Sequence, residues 1–596
     1  MAIARLKKVT MVGMGAGKNV LLQQLQQFGE LHLESLTAVK PMNEYQLART
    51  STRSALEYLL KTPRLHRQEH DESRFDRNYV ERRAGEIAEL VHERRRELAY
   101  LQKRIADLSL WGNFVLPDES VMGGLKLWFY VLPVLKLRQL AASSCQWQVI
   151  DKRGGKAYVV ILADTEPSIF MAERTHTGRI SLDELRQKLE RCENDLEDLS
   201  SERYSLSRWC DQLLASMADA ADTLALEHAG KLLRDDNQLF VLNGWIASAR
   251  EMHIRQFAET AGVAVCIETP SGREEPPTLL ENPAWMRGAQ HLVTFYLTPT
   301  YQSIDPTPAV FLFFPFFLAM IVSDAGYALL LAALLLLSWG KLSRHARFRD
   351  FRGLLVFSTL LALLWGVLCG SYFGLSPPAA SVAGRLAIVD YGDVNQMMYF
   401  SVGIGALHVG IANLMVAWHL KSRAALANLG WVTAILSAAL LWLAAGSRAA
   451  SVDVVALFAY AGLGIALILI LLYTLPYGKP LARAGAGLLA LARINGAFGD
   501  VMSYLRLFAL GLAGVSLATV FNDIASQVST GLPGLGILFA GIILLLGHSL
   551  NLLLAVSGGV MHGLRLNFIE FFNWALSGEG RRFVAFARQG KRQWTS

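Results

Sequence analysis

The sequence predicts a chain built for two environments. A water-exposed α/β half, with two lobes joined by an antiparallel helical hairpin, is followed by an α-helical polytopic membrane half of about eight spans. Three observations carry this. Of the 596 residues, 53% are hydrophobic and only 18% charged, against roughly 25% charged in an ordinary soluble protein, which excludes a disordered chain and a lone soluble domain. Charged and apolar residues mix up to about Tyr296, whereas from Pro308 long apolar runs alternate with short polar loops. Heptad-spaced apolar residues recur at two separate places in the first half. The five cysteines are scattered without CxxC or Cys/His spacing, so neither a disulfide framework nor a metal site is expected, and no cofactor. The net charge of +7 suits positive loops at a membrane surface and not a nucleic-acid partner.

Taken in order, Val9–Val12 reads as a strand and Leu21, Leu22, Leu25 and Phe28 as one face of a helix, grouped with a later strand from Leu239 to Ile246. The first hairpin arm carries Val91, Leu98, Leu101, Ile105 and Leu108, with Arg94 on the seam. The second carries Leu185, Leu189, Cys192, Leu196, Leu199, Leu206, Cys210 and Leu213, with Arg203 as the polar intruder. Between them Leu125–Leu132 and Tyr158–Leu162 read as strands and Arg153-Gly154-Gly155 as a turn. The expected layout is a cytoplasmic domain over 1–300, with one lobe from 1–80 and 216–300, hairpin arms at 81–112 and 181–215, and a distal lobe at 113–175. The plainer alternative is a compact α/β domain with two surface helices. No unbroken apolar h-region opens the chain, so this half is expected to stay cytoplasmic. Gly13-Met14-Gly15-Ala16-Gly17-Lys18-Asn19 imitates a phosphate-binding loop but has Val12 and Asn19 where a Walker A motif needs Gly and Ser/Thr. A turn between strand and helix is the expected role.

The membrane half, 301–596, contains apolar segments at 353–375, 396–419, 427–445, 453–475, 499–521 and 536–570, each near or above the roughly 20 residues that cross hydrocarbon. The last is overlong and must tilt. Lys341, Arg349, Arg352, Lys421, Arg423, Lys479, Arg483, Arg493, Arg581, Arg582, Lys591 and Arg592 fall in alternate loops, which places those loops and both termini in the cytoplasm. Pro308–Ser338 then crosses twice or not at all, and two short tilted helices at about 308–322 and 324–339, breaking around Ser323-Asp324-Ala325-Gly326, are the favoured reading.

An arginine at mid-membrane costs about 2.5 to 3.5 kcal/mol on insertion scales, so it is retained for a reason. Arg506 sits inside the 499–521 segment. Arg565 closes a polar or small helical face made of His548, Asn551, Ala555, Gly558, His562 and Arg565. Snorkelling to headgroups is the bland reading for Arg565, and helix packing for His548, His562 and Ser503.

Ser503-Tyr504-Leu505-Arg506-Leu507-Phe508-Ala509-Leu510 resembles the signature of the membrane-embedded a subunit of V-type and A-type rotary ATPases, called subunit I in prokaryotes. Asn243-Gly244-Trp245-Ile246, Asp305-Pro306-Thr307-Pro308, Asp324-Ala325-Gly326-Tyr327, Trp365-Gly366 through Gly370-Ser371-Tyr372-Phe373-Gly374, and His562-Gly563-Leu564-Arg565-Leu566 are similar to the same family in the same order. The resemblance implies that the last two membrane helices are long and tilted and embrace a ring of proteolipid c subunits. It also implies that the soluble half docks E/G-type peripheral-stalk subunits and, as a further partner, the central-stalk cap subunit, and that the chain, a bacterial inner-membrane member, holds no ATP site. By the same resemblance Arg506 is the essential arginine of ion translocation and Arg565 its support. Asp500, Ser503, His548, Asn551, His562 and Glu570 are half-channel candidates. Eukaryotic relatives carry an acidic residue and a His where this chain has Ala555 and Gly514. The choice between H+ and Na+ is not written in this chain. Two other function classes compete: a self-sufficient secondary transporter, which should show repeated halves, and a membrane-tethered scaffold, which should tolerate loss of Arg506.

Overall fold

The structure, a computed structural model, describes residues 3–35, 51–117, 122–140, 145–167, 173–175, 180–236, 238–272, 274–344, 346–389, 393–446, 452–532 and 534–588. The loop charges Lys591 and Arg592 lie outside them. In chain order the first half runs β1 (Leu6–Met14), α1 (Lys18–Phe28), β2 (His32–Glu34), α2 (Ser51–Leu60), α3 (Arg77–Ser109), β3 (Lys126–Pro133), β4 (Gln146–Arg153), β5 (Lys156–Ala163), β6 (Glu173–Arg174), α4 (Leu182–Leu206), α5 (Cys210–Leu232), β7 (Arg234–Asp236), β8 (Leu239–Ala247), α6 (Glu251–Ala261), β9 (Ala264–Glu268) and α7 (Arg287–Tyr296). The second half continues with α8 (Thr307–Val322), α9 (Ala325–Arg344), α10 (Ala346–Cys369), α11 (Val394–His419), α12 (Ala425–Gly446), α13 (Val452–Tyr473), α14 (Pro480–Leu491), α15 (Ile494–Met502), α16 (Leu505–Gly531), α17 (Gly536–Arg565) and α18 (Phe572–Ala575). Contacts divide the chain into two compact units, one of residues 1–39 and 229–587, the other of residues 40–228.

In the second unit α3 and α4 run antiparallel. Arg83 makes a two-pronged ion pair with Glu202 at 2.6 and 2.8 Å, and Arg94 reaches Asp195 at 3.2 Å. Both arginines therefore have anions across the seam. Arg203 lies over the Tyr58 ring at 4.2 Å and donates to the Tyr58 carbonyl. Leu101, Leu108, Leu185 and Cys192 are buried between the arms and the sheet. The sheet has the order β4-β5-β3-β6, and Gly154 (φ 56°) and Gly155 (φ 74°) form the turn joining β4 to β5, a left-handed pair that suits the twist of a hairpin.

In the first unit β1 pairs antiparallel with both β8 and β9, and β2 extends the sheet beyond β8. A Cβ on Gly244 would lie 2.6 Å from the His32 carbonyl oxygen, so only glycine lets β2 close on β8 there. Beside it Trp245 is buried and its indole donates to Glu34. The glycine run after β1 is a short turn into α1, and Lys18 is paired with Asp235 at 3.1 Å. A Cβ on Gly13 would meet the Phe240 ring at 2.6 Å, so that glycine serves packing.

Among the described residues seven helical segments are long and apolar enough to cross a membrane, and α8 is a shorter apolar helix of 16 residues. At 1.5 Å per residue α8 covers about 24 Å, less than the roughly 30 Å of a hydrocarbon core. Asp305 accepts from the Thr307 amide to start it. Between α8 and α9 the chain breaks at Ser323, a non-glycine residue at φ 49°. Asp324 then caps α9 by accepting from the Tyr327 amide, and accepts also from the Ser371 hydroxyl and the Phe373 and Gly374 amides, at 2.7 to 3.0 Å. A Cβ on Gly366 would sit 2.3 Å from the Ala325 nitrogen, and one on Gly326 would sit 2.4 Å from the Phe373 ring. The motif glycines and Asp324 thus form one clamp around two strained residues, Ser323 and Phe373 (φ 53°).

The 499–521 segment departs from a single helix. It breaks at Ser503-Tyr504 between α15 and α16, and α16 runs on to Gly531. Tyr504 causes the break: its ring is fully buried against α11, where a Cβ on Gly405 would lie 2.7 Å from it, and its hydroxyl lies 2.6 Å from His408 Nδ1. The overlong last segment likewise ends its regular helix at Arg565 and continues as a π-turn over Leu566–Phe571.

Candidate functional site

Arg506 is the second residue of α16, just past the break, where tight turns carry the backbone: the Arg506 amide donates to the Ser503 carbonyl and the Leu507 amide to the Tyr504 carbonyl. The burial of Tyr504 therefore fixes how Arg506 leaves the helix. Its Nη1 is buried with no hydrogen-bond partner, and among the described residues no carboxylate lies within ion-pairing distance. Glu570, in the π-turn, is buried; the Ser503 hydroxyl and the charges of Arg565 and Arg506 all bear on its carboxylate, and its Oε2 is unpartnered. His562 lies in the field of both arginines with Nδ1 unpaired. Ser503, Arg506, His562, Arg565 and Glu570 are thus one cluster of two fixed cations, one carboxylate, one imidazole and one hydroxyl. A π-turn is itself unusual and concentrates at functional positions.

His548 and Asn551 belong to a second cluster, and their hydrogen bonds have a direction. The Asn551 amide donates to the Gly514 carbonyl at 2.8 Å and to the Tyr327 hydroxyl at 3.0 Å. The Tyr327 hydroxyl then donates to His548 Nδ1 at 2.7 Å. That leaves His548 Nε2 as the donor to Asn522 Oδ1 at 3.1 Å, while the Asn522 amide donates to the Phe373 carbonyl at 2.8 Å. All groups are satisfied only if His548 is neutral with its hydrogen on Nε2. From His548 to His562 is fourteen residues along α17, or about 21 Å, so the clusters occupy different depths.

Asp500 joins neither: its carboxylate accepts from the Trp574 indole at 2.7 Å, and Arg493 stacks on the same indole at 4.5 Å. Tyr327, Asn522, His408 and Tyr504 take part in these hydrogen bonds without standing out in the sequence. The available cue was weak, a lone polar ring or amide in an apolar run. Of the small face read on α17, Asn551 and Ala555 are buried, but the buried stripe continues through Gly559 and Gly563, not Gly558. The reason is contact with α8: a Cβ on Gly559 would lie 2.4 Å from Leu318 Cδ1.

Fold and clusters define the class: a multi-pass membrane protein with an N-terminal α/β domain and ionisable groups buried among its last helices. Its relatives are more particular. Residues 161–376 match the V-type ATPase 116kDa subunit family. The V-type ATP synthase subunit I of Chlamydia pneumoniae is 27% identical over 478 residues, covering 67% of this chain and 69% of that protein. That of Borreliella burgdorferi is 24% identical over 78% of this chain and 80% of its own length. The A-type ATP synthase subunit I of Pyrococcus abyssi is 32% identical over 55% of this chain and 50% of its own length. The solved cytoplasmic N-terminal domain of subunit I, homolog of subunit a, of V-ATPase aligns with a TM-score of 0.22 at 15% identity, covering 44% of this chain and 99% of that one. The chain is similar to subunit I of V-type and A-type ATP synthases.

Proposed function

We propose that the chain is the membrane stator subunit of a rotary V-type ATPase, itself without catalytic activity, which passes H+ or Na+ between two half-channels and a revolving c-ring. Its N-terminal domain faces the cytoplasm and anchors the peripheral stalks. The observation that supports this best is Arg506, a cation with a buried unpaired N–H and, among the described residues, no carboxylate within pairing distance. Such a group suits a carboxylate supplied from outside. At about 4 Å and an effective dielectric near 20 the attraction is roughly 4 kcal/mol, worth about three pKa units in favour of the ionised carboxylate. A ring carboxylate approaching Arg506 therefore releases its ion, and must reload before it turns back into lipid. Because guanidinium keeps its proton, it separates the two paths without relaying a proton between them. Ser503, His562, Arg565 and Glu570 line one half-channel; Tyr327, Asn522, His548 and Asn551 line the other, at the second depth.

The test is Arg506→Lys in the assembled complex. Lysine keeps the charge but loses the fork and can deprotonate when desolvated, so ATP-driven ion uptake into vesicles should fall by about tenfold or more, with all subunits still co-purifying. Near-normal uptake by a fully assembled variant would overturn the role of Arg506.

A further inference from the structure

Where α9 ends and α10 begins, the two helices line an open groove of about 430 Å3 on the surface of the helical bundle. Both helices are membrane-crossing candidates, so the groove opens at a membrane surface. Its rim is cationic and its depth apolar. Arg349 and Arg352 stand in the first turns of α10, and Val356, Phe357 and Leu360 continue down the same helix, with Trp339 of α9 opposite. From Arg349 to Leu360 is about 16 Å of helix. The wall is already rigid: Phe357 stacks on Phe311 at 5.0 Å, and Gly353 seats α10 so closely that a Cβ would lie 2.4 Å from the Trp285 carbonyl oxygen. Arg352 lies flat on the Trp339 indole at 3.7 Å, yet its Nε is buried without a partner. Among the described residues neither arginine has an ion pair. The nearest carboxylate in sequence, Asp350, is engaged by His291 at 3.1 Å and Arg287 at 3.9 Å.

We propose that this groove binds one anionic glycerophospholipid, its phosphodiester held by Arg349 and Arg352 and an acyl chain laid over Val356, Phe357 and Leu360. Two guanidiniums without an ion pair among the described residues select a headgroup with net negative charge, since a zwitterionic headgroup would bring its ammonium to the same rim. The apolar wall selects a lipid over a soluble phosphate. This assignment is independent of the role given to Arg506.

The purified full chain in detergent, titrated with phosphatidylglycerol or phosphatidylethanolamine and read by native mass spectrometry, tests it. The unaltered chain should retain phosphatidylglycerol at least about fivefold better. The double variant Arg349→Gln, Arg352→Gln should lose about tenfold or more of that affinity and leave phosphatidylethanolamine unchanged. Millimolar glycerol phosphate should not displace the lipid. Equal retention of the two lipids by the unaltered chain, or an unweakened double variant, overturns the site, and displacement by glycerol phosphate overturns the lipid in favour of a soluble anion. The preference and the competition both use the unaltered chain, so they decide even where the double variant does not fold.

Discussion

Asp324 holds together four donors, the Tyr327 amide three residues on and the Ser371, Phe373 and Gly374 groups 47 to 50 residues on. It also holds them around backbone that leans the wrong way at Ser323 and Phe373. Each hydrogen bond to a charged group is worth about 1.5 to 3 kcal/mol, so Asp324→Ala should destabilise the detergent-solubilised protein by about 3 kcal/mol or more, seen as a lowered thermal unfolding midpoint. Asp324→Asn, which keeps one acceptor oxygen, should fall between. An unchanged midpoint for the alanine variant would mean that the clamp is held by packing alone. A second residue-scale expectation follows from the directed chain through His548. Tyr327→Phe leaves Nδ1 without its donor, and a solid-state nitrogen spectrum of labelled histidine should show the Nδ1 resonance of His548 shift while the Nε2–H tautomer persists. A charged imidazole in the unaltered protein would refute the assigned direction. Among the candidate site residues Arg506 and Arg565 stand out in the sequence, because a charge in an apolar run has no cheap explanation. Tyr327 and Asn522 do not, because one neutral polar group there is common and its partners lie on other helices.

The hairpin arms show which side of an element a pattern can specify. Arg94, an apparent flaw in the three-and-four spacing, is matched by Asp195 on the other helix. Arg83 and Glu202 give the arms a pH-sensitive link. The hydrogen bonds from Arg83 hold the Glu202 carboxyl below the usual carboxylate range. Because the folded value is depressed, the stabilisation is present above the unfolded value near ~4.3 and is lost as pH falls through the folded value. Both side chains are about a third exposed, so the link is a surface pair. A double-mutant cycle of Arg83→Gln and Glu202→Gln on thermal unfolding should give a coupling of about 0.5 to 1 kcal/mol near neutral pH, shrinking toward zero in acid. A coupling that grows in acid would contradict the sign. The break before Arg506 was out of reach of pattern reading. No proline or glycine marks Ser503-Tyr504, and its cause is a ring fitting beside Gly405 almost a hundred residues earlier.

At the scale of the whole molecule, the chain after α18 does something that its basic composition did not announce. It returns to the N-terminal sheet as an extended strap, paired through backbone: the Gly580 amide donates to the Thr298 carbonyl, Thr278 to Arg581, Phe583 to Thr278, and Phe586 to Leu31. His32 Nδ1 accepts from the Val584 amide, and Arg581 reaches both Glu34 and the Glu275 carbonyl. Backbone pairing leaves no trace in residue type, which is why positive loops could be read from these residues and a strap could not. Glu34 is also the acceptor of the Trp245 indole, so the strap ties the last membrane helices to the core of the first sheet within one unit. If the tie is energetic as well as geometric, deleting 577–596 should raise the amide exchange of residues 29–34 and 275–301 by about tenfold or more, a loss of about 1.4 kcal/mol of protection, while α16 and α17 keep theirs. Arg581→Ala, which removes only the side-chain contacts, should show a smaller rise confined to the neighbourhood of Glu34. Exchange unchanged by the deletion would mean that the strap merely lies along a sheet stable without it. A rise that spread into α16 and α17 would mean that the sheet and the membrane helices unfold as one cooperative body.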